Sequence, residues 1–211
     1  MKDIYLFSGL GADKSVFEFL DFKGFRTHAI EWEDPEKKET IPQYATRLIS
    51  QIKTKKPILI GVSFGGILAI EIGKQIETEK IIIISSIKCK SDMPAAMRVA
   101  GFFKVNKLIP AEVLQKPNGM LFWLFGVESD HDKDLLSDIV KRTDPGFIDW
   151  GISAIPTWDN EICPDNVIHI HGTDDRIFPI QEPDYTIEGG GHFMIVNHCD
   201  EVSRILKKVL A

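Results

Sequence analysis

The sequence predicts an α/β fold: a mostly parallel sheet of about six strands flanked by helices, in a single domain 1–211 with a helical insertion at about 88–165. Three observations carry this. Short strand-like runs alternate with segments of helical periodicity. The central runs, Pro57-Ile-Leu-Ile-Gly-Val62 and Lys80-Ile-Ile-Ile-Ile-Ser85, are almost wholly apolar, as strands covered on both faces are. The alternation breaks between Lys88 and Asp165, a stretch rich in Phe, Trp, Leu and Met with no clear strand.

In order, Asp3-Ile-Tyr-Leu-Phe7 reads as a first strand and Asp13–Phe22 as a short helix. Thr27–Trp32 reads as a second strand. Ile41–Lys53 is an amphipathic helix with Tyr44, Leu48, Ile49 and Ile52 on one face. The third strand, Pro57–Val62, leads into a helix over Phe64–Ile76, and Lys80–Ser85 is the fourth strand. After the insertion come Val167-Ile-His-Ile-His171, Tyr185-Thr-Ile187 and a helical segment, Glu201–Leu210. Such alternation implies right-handed crossovers and an open sheet.

Composition bounds the function. The 211 residues are 44% hydrophobic and 27% charged, enough to bury a real core. A net charge of −6 gives no reason to expect a nucleic acid partner or an anionic membrane surface. The basic run Lys53-Thr-Lys-Lys56 is a solvated helix end. Cys89, Cys163 and Cys199 are odd in number and widely spaced, which suits a reducing compartment and offers no disulfide framework or zinc site. With no signal-peptide pattern at Met1–Phe7 and no apolar run of the roughly 20 residues needed to span a bilayer, a cytoplasmic location is expected.

One motif carries chemistry. Gly61-Val-Ser-Phe-Gly65 is a G-x-S-x-G match set between a buried strand and a helix. A strand that turns abruptly into a helix holds its middle residue in a strained conformation at the tip. This crowds the positions two residues away, so glycine is favoured at both. The helix then aims free N–H groups and its positive dipole end at the same place. A helix-capping role would explain Ser63 but neither glycine. Ser63 is therefore the candidate nucleophile.

A serine hydroxyl needs a base. His192, in Glu188-Gly-Gly-Gly-His-Phe193 beyond the last strand, stands where glycines let a loop bend back over the sheet. His198, at the start of the final helix, is the rival. His169 and His171 read as core or strand-end residues, His28 belongs to an early strand, and His131 lies in the acidic Glu128-Ser-Asp-His-Asp132. The base in turn needs an acid. His171-Gly-Thr-Asp-Asp175 offers two carboxylates, of which Asp175 is the candidate and Asp174 the alternative as a turn cap.

These pieces together resemble an α/β-hydrolase of the small, cofactor-free serine kind. Phe7-Ser-Gly-Leu-Gly11 is similar to the oxyanion loop, Gly61–Gly65 to the nucleophile turn, His171-Gly-x-x-Asp175 to the acid loop and Gly190-Gly-His192 to the histidine loop. The chain order Ser, Asp, His is that of the family. The match begins at the oxyanion strand, so the family's first two strands are absent and six are expected, and Ser8 stands where many members carry histidine. The resemblance implies acyl transfer to water with the backbone N–H groups of Leu10 and Phe64 as oxyanion donors, a small-molecule acyl substrate, and neither cofactor nor metal. Met120–Phe125 and Phe147–Trp150 either line an acyl pocket or pack within the insertion. Carboxylic ester, thioester, lactone and C–C substrates all remain open, as does a signalling or binding role with little turnover.

Overall fold

The computed structural model describes residues 1–102, 117–180 and 182–211. Among these, six strands form one all-parallel sheet: β1 (Asp3–Phe7), β2 (Arg26–Ala29), β3 (Ile58–Val62), β4 (Lys80–Ile84), β5 (Val167–Gly172) and β6 (Tyr185–Ile187). Their order across the sheet is β2-β1-β3-β4-β5-β6, with Ile4 beside Ile58, Ile58 beside Lys80 and Ile81 beside Val167. The chain thus works outward from β1 to one edge, crosses back to β3, and runs to the other edge. Every strand points the same way, so every strand ends on the same rim of the sheet.

The two faces bury separate cores. Tyr5, Phe7, Leu59, Ile81 and Ile83 point to one face, where they meet the helices α1 (Ile41–Leu48) and α2 (Phe64–Gly73). Ile4, Leu6, Ile58, Ile60, Ile82, Ile84 and Ile170 point to the other, against the helix α8 (Cys199–Leu210). This is the alternation that a strand's two-residue period imposes. Helix α2 is buried from Phe64 to Ile72, because β3 and β4 lie on one side of it and α1 on another. Its continuous apolar run is thereby explained.

Between β4 and β5 the described residues form helices α3 (Ala95–Phe102), α4 (Gly119–Phe125), α5 (Asp130–Arg142) and α6 (Pro145–Ala154), and no strand. A further helix, α7 (Met194–Asn197), precedes α8. Asn118, Ser129 and Asp144 cap α4, α5 and α6 through their side-chain oxygens. Phe147 and Trp150 of α6 join Trp32, Tyr44 and Phe64 in one aromatic cluster, with Trp32 stacked on Phe147 at 5.4 Å.

Four elements differ from the periodicity reading. The second strand ends at Ala29, three residues before Trp32, although the Ile30 N–H still donates to Leu6 O. Asp13–Phe22 forms one 3₁₀ turn, Lys14–Phe17, rather than a helix: Asp13 caps it, Val16 and Phe17 anchor it, and exposed Phe19 supplies no further buried stripe. The helix beginning at Ile41 tightens to 3₁₀ geometry at Ile49–Gln51. There the Tyr5 hydroxyl accepts the N–H groups of Lys53 and Thr54, drawing the chain off the helix axis. The helix from Phe64 ends at Gly73, three residues before Ile76.

A buried polar network ties the segment after α6 to α2. Glu71 accepts the Trp158 indole N–H at 2.7 Å and the Lys74 ammonium at 2.7 Å, and Lys74 also reaches Asn160 Oδ1. Removing the carboxylate strands the buried indole N–H and takes the counter-charge from Lys74, which keeps Asn160. Glu71→Ala is expected to lower unfolding free energy by about 3 kcal/mol, read by urea denaturation.

Candidate active site

Ser63 joins β3 to α2 with φ 53° and ψ −120°, a conformation that non-glycine residues rarely adopt. The turn is sharp enough that a Cβ on Gly61 would overlap the Gly65 carbonyl, and one on Gly65 would overlap the carbonyls of Phe7 and Ser8. Both glycines are required by close backbone approach. The strain is held from β4: the Ser63 N–H donates to Ile84 O at 2.9 Å, and Ser86 Oγ donates to Ser63 O at 2.7 Å.

His192 Nε2 stands 2.9 Å from Ser63 Oγ, and its Nδ1 stands 2.8 Å from Asp175 Oδ2. An ionised carboxylate only accepts, so Nδ1 carries the proton and Nε2 is left to accept from the serine hydroxyl. The ring is fixed by the edges and faces of Phe125 and Phe178, 5.3 Å and 5.7 Å away between centroids. The loop that delivers it packs backbone against backbone: a Cβ on Gly172 would overlap Gly190, and Gly189 has φ 70°. The three glycines thus answer different demands: Gly189 a positive φ, Gly190 contact with Gly172, and Gly191 contact with Phe125 and Gly126.

Asp175 is buried. Its Oδ1 accepts the N–H groups of Ile177 and Phe178, both at 2.9 Å, which leaves Oδ2 for His192. Burial alone would raise its pKa. The charge and hydrogen bond of His192, the Phe178 N–H and the nearby His171 outweigh burial and hold the carboxyl below the usual range. Asp174 is exposed and accepts the Thr173 hydroxyl at 3.0 Å, as a turn residue would. His198 pairs with Glu201 at 3.2 Å. Of the two carboxylates and two rival histidines, the structure brings Asp175 and His192 to Ser63.

Beside Ser63 lies the loop Ser8–Gly11. A Cβ on Gly9 would stand 3.5 Å from Ser63 Cβ, and Ser8 Oγ donates to Ala12 O at 2.8 Å, closing the loop on itself. The Leu10 side chain packs on Gly151 of α6. Phe64 opens α2, so its N–H has no acceptor within the helix. Leu10 and Ser63 both border a cavity of about 50 Å³. Its apolar wall comes from Val16, Phe125, Ile195 and, on α5, Leu136, Ile139 and Val140. Those three α5 residues escape the motif search, although the amphipathic spacing of Leu136, Ile139 and Val140 marks a buried face. Phe147 and Trp150 pack into the aromatic cluster instead of lining this cavity.

Among the described residues, no group of three His, Cys, Asp or Glu is placed to hold a metal ion, and no helix is long and apolar enough to cross a membrane.

The sequence matches the alpha/beta hydrolase family over residues 4–205. No curated protein matches it in sequence. Several solved structures share the fold. A thermophilic esterase from Thermogutta terrifontis superposes with a TM-score of 0.73 at 16% identity, over 100% of this chain and 89% of that one. An esterase from Exiguobacterium antarcticum gives 0.73 at 15%, over 99% and 91%. A structure from a study of carboxylesterases of the thaumarchaeon Nitrososphaera gargenis gives 0.70 at 17%, over 99% and 89%. At such identities the likeness is one of fold.

The Asp175 carboxyl titrates lower in the folded chain than its unfolded value of about 3.9. Its stabilisation is therefore complete above that unfolded value and lost as pH falls through the lower folded one. The stability difference between the protein and Asp175→Asn, followed by thermal melts, is expected to be flat above about pH 5 and to narrow below about pH 4.

Proposed function

The chain belongs to the alpha/beta hydrolase family, and on that premise we propose that it is a serine hydrolase cleaving a carboxylic ester through an acyl-enzyme. The observation that carries the reading is the hydrogen-bonded line from Ser63 Oγ through His192 to Asp175, rooted in a strained turn at the strand ends. A structural serine would require neither the positive φ nor a histidine already turned with its basic nitrogen toward the hydroxyl.

In this mechanism Ser63 Oγ attacks the ester carbonyl carbon while its proton passes to His192 Nε2. Asp175, charged and held by two backbone amides, keeps the proton on Nδ1 and stabilises the imidazolium. The carbonyl oxygen becomes an oxyanion held by the N–H groups of Leu10 and Phe64, each such donor typically worth about 3 kcal/mol. Collapse of the tetrahedral species breaks the bond to the alcohol, which leaves with the proton from Nε2. Water then enters, gives a proton to Nε2, adds to the acyl carbon and releases the acid as Ser63 takes its proton back. The steps need neither cofactor nor metal.

Residues 88–165 serve in this reading as a cap on the single domain 1–211, with α5 as the wall facing Ser63. The cavity there suits a small acyl group: about 50 Å³ of water-sized space is room for a few water molecules. The three free cysteines support a reducing, cytoplasmic setting.

The nucleophile is tested with a fluorophosphonate probe. Covalent labelling at Ser63 and its loss in Ser63→Ala are expected. Asp175→Asn should lower kcat by about 10⁴, Asp174→Asn by less than about tenfold, and His198→Ala should leave turnover unchanged. Labelling at another serine, or a larger loss at Asp174, overturns the assignment. With p-nitrophenyl esters, acetate to butyrate should exceed octanoate in kcat/KM by at least about tenfold, since overfilling a packed wall costs about 1–3 kcal/mol. A preference for the long chain would place the acyl group elsewhere.

A further inference from the structure

Two buried histidines that the mechanism does not use stand directly behind its acid. His171 Nε2 lies 2.7 Å from the Phe178 carbonyl and 3.4 Å from Asp175 Oδ2. Its Nδ1 lies 2.8 Å from His169 Nε2, and both residues are 1% exposed. Protons can be assigned along this line. A carbonyl oxygen only accepts, so His171 Nε2 carries a hydrogen. In a neutral ring Nδ1 is then an acceptor, so His169 Nε2 donates to it. That leaves His169 Nδ1 without a hydrogen; it makes no hydrogen bond of good geometry, and the Ser86 backbone acts on the same ring. Burial keeps both rings neutral, pushing His169 down to about 3 and lowering His171 as well.

We propose that His171 is a positioning residue for the triad and that His169 sets its tautomer, the pair directing one N–H at the Phe178–Asp175 turn. The inference rests on the serine hydrolase reading above. Phe178 is the lever. Its N–H holds Asp175 Oδ1, its carbonyl is held by His171, and its ring packs against the imidazole of His192. One hydrogen bond from His171 therefore steadies both the acid and the base. The same polar N–H edge faces Asp175 Oδ2, the oxygen that His192 shares, and offsets part of its charge. A donor there makes the carboxylate a weaker partner for the imidazolium. The other charged groups that act on the pair are Lys88 and Asp92, beyond β4, and Asp184, before β6. Asp184 accepts the His169 backbone N–H at 2.8 Å.

The test uses the full chain with ¹⁵N-labelled histidine, so that ring titration of His192 is read by NMR whether or not substrate turns over. His171→Leu removes the donor with little change of volume. The His192 midpoint should rise by at least about 0.5 pH unit, and the acid limb of kcat/KM should move the same way. The kcat should fall about tenfold at constant pH, with KM within about twofold. His171→Gln, which keeps an N–H near the position of Nε2, should recover both to within about threefold of the unsubstituted protein. His169→Leu should raise the midpoint less, by at least about 0.2 pH unit, because His171 is then free to change tautomer. It decides the matter if His171→Leu does not fold. An unchanged His192 midpoint in the folded variants overturns the proposal and leaves the pair a packing feature. Absence of Ser63 labelling in the unsubstituted protein would instead overturn the hydrolase reading, and the titration would still judge the histidine pair.

Discussion

The close crossing of three backbones at Ser63 is the constraint on which the rest of the structure depends. The end of β3, the first turn of α2 and the end of β1 meet where Gly61 and Gly65 leave no room for a side chain. This contact forces the strained Ser63 backbone, fixes where α2 starts, and sets the loop Ser8–Gly11 beside the serine. Strain of this kind, typically about 1–3 kcal/mol, survives only where its surroundings over-determine it. Here Ile84 O at the end of β4 and Ser86 Oγ just beyond it supply that grip. The parallel sheet then does the remaining work. Because all strands end on one rim, the loops after β5 and β6 arrive at the same place carrying Asp175 and His192.

Polar groups buried at that rim are wired in series. Asp175 divides its oxygens between two backbone amides and one imidazole; His192 is held between the acid and the serine; Phe178 links the acid turn to His171. In a low-dielectric interior such a chain has few alternative arrangements, since breaking one link leaves a buried donor or acceptor unmet. Aromatic rings on His192 add shape to the same restriction.

Much of this was legible in the residues. Apolar runs mark β1, β3 and β4 to within a residue, because strands buried on both faces tolerate little else. The turn at Ser63 is legible because its glycines answer to a local steric demand. Asp175 and His192 follow from loop chemistry and spacing. The rest depends on tertiary contacts that periodicity does not encode. Asp13–Phe22 has helix-compatible residues, yet within the turn only Val16 and Phe17 are buried, and Leu20 reaches the core from beyond it. Tyr5, far off in sequence, ends the α1 segment with its hydroxyl. Phe147 and Trp150 are as apolar as any pocket lining, and their place in the cluster with Trp32 and Tyr44 is decided by α1 and the loop after β2. His169 and His171 read correctly as buried strand residues. What spacing could not reveal is that their nitrogens meet each other and the acid turn.

The insertion joins strands that sit side by side: β4 ends at Ile84 and β5 begins at Val167, with Ile84 beside Ile170 in the sheet. The sheet therefore sees that long excursion as a closed loop whose ends it already holds together. Closing a loop twice as long costs only about 0.6 kcal/mol more. The wall above Ser63 is thus the cheapest part of the molecule to lengthen, shorten or replace, while the elbow beneath it tolerates almost no change. A lineage built on this architecture can reshape the cavity beside Ser63 by rewriting the excursion, leaving the strained turn untouched.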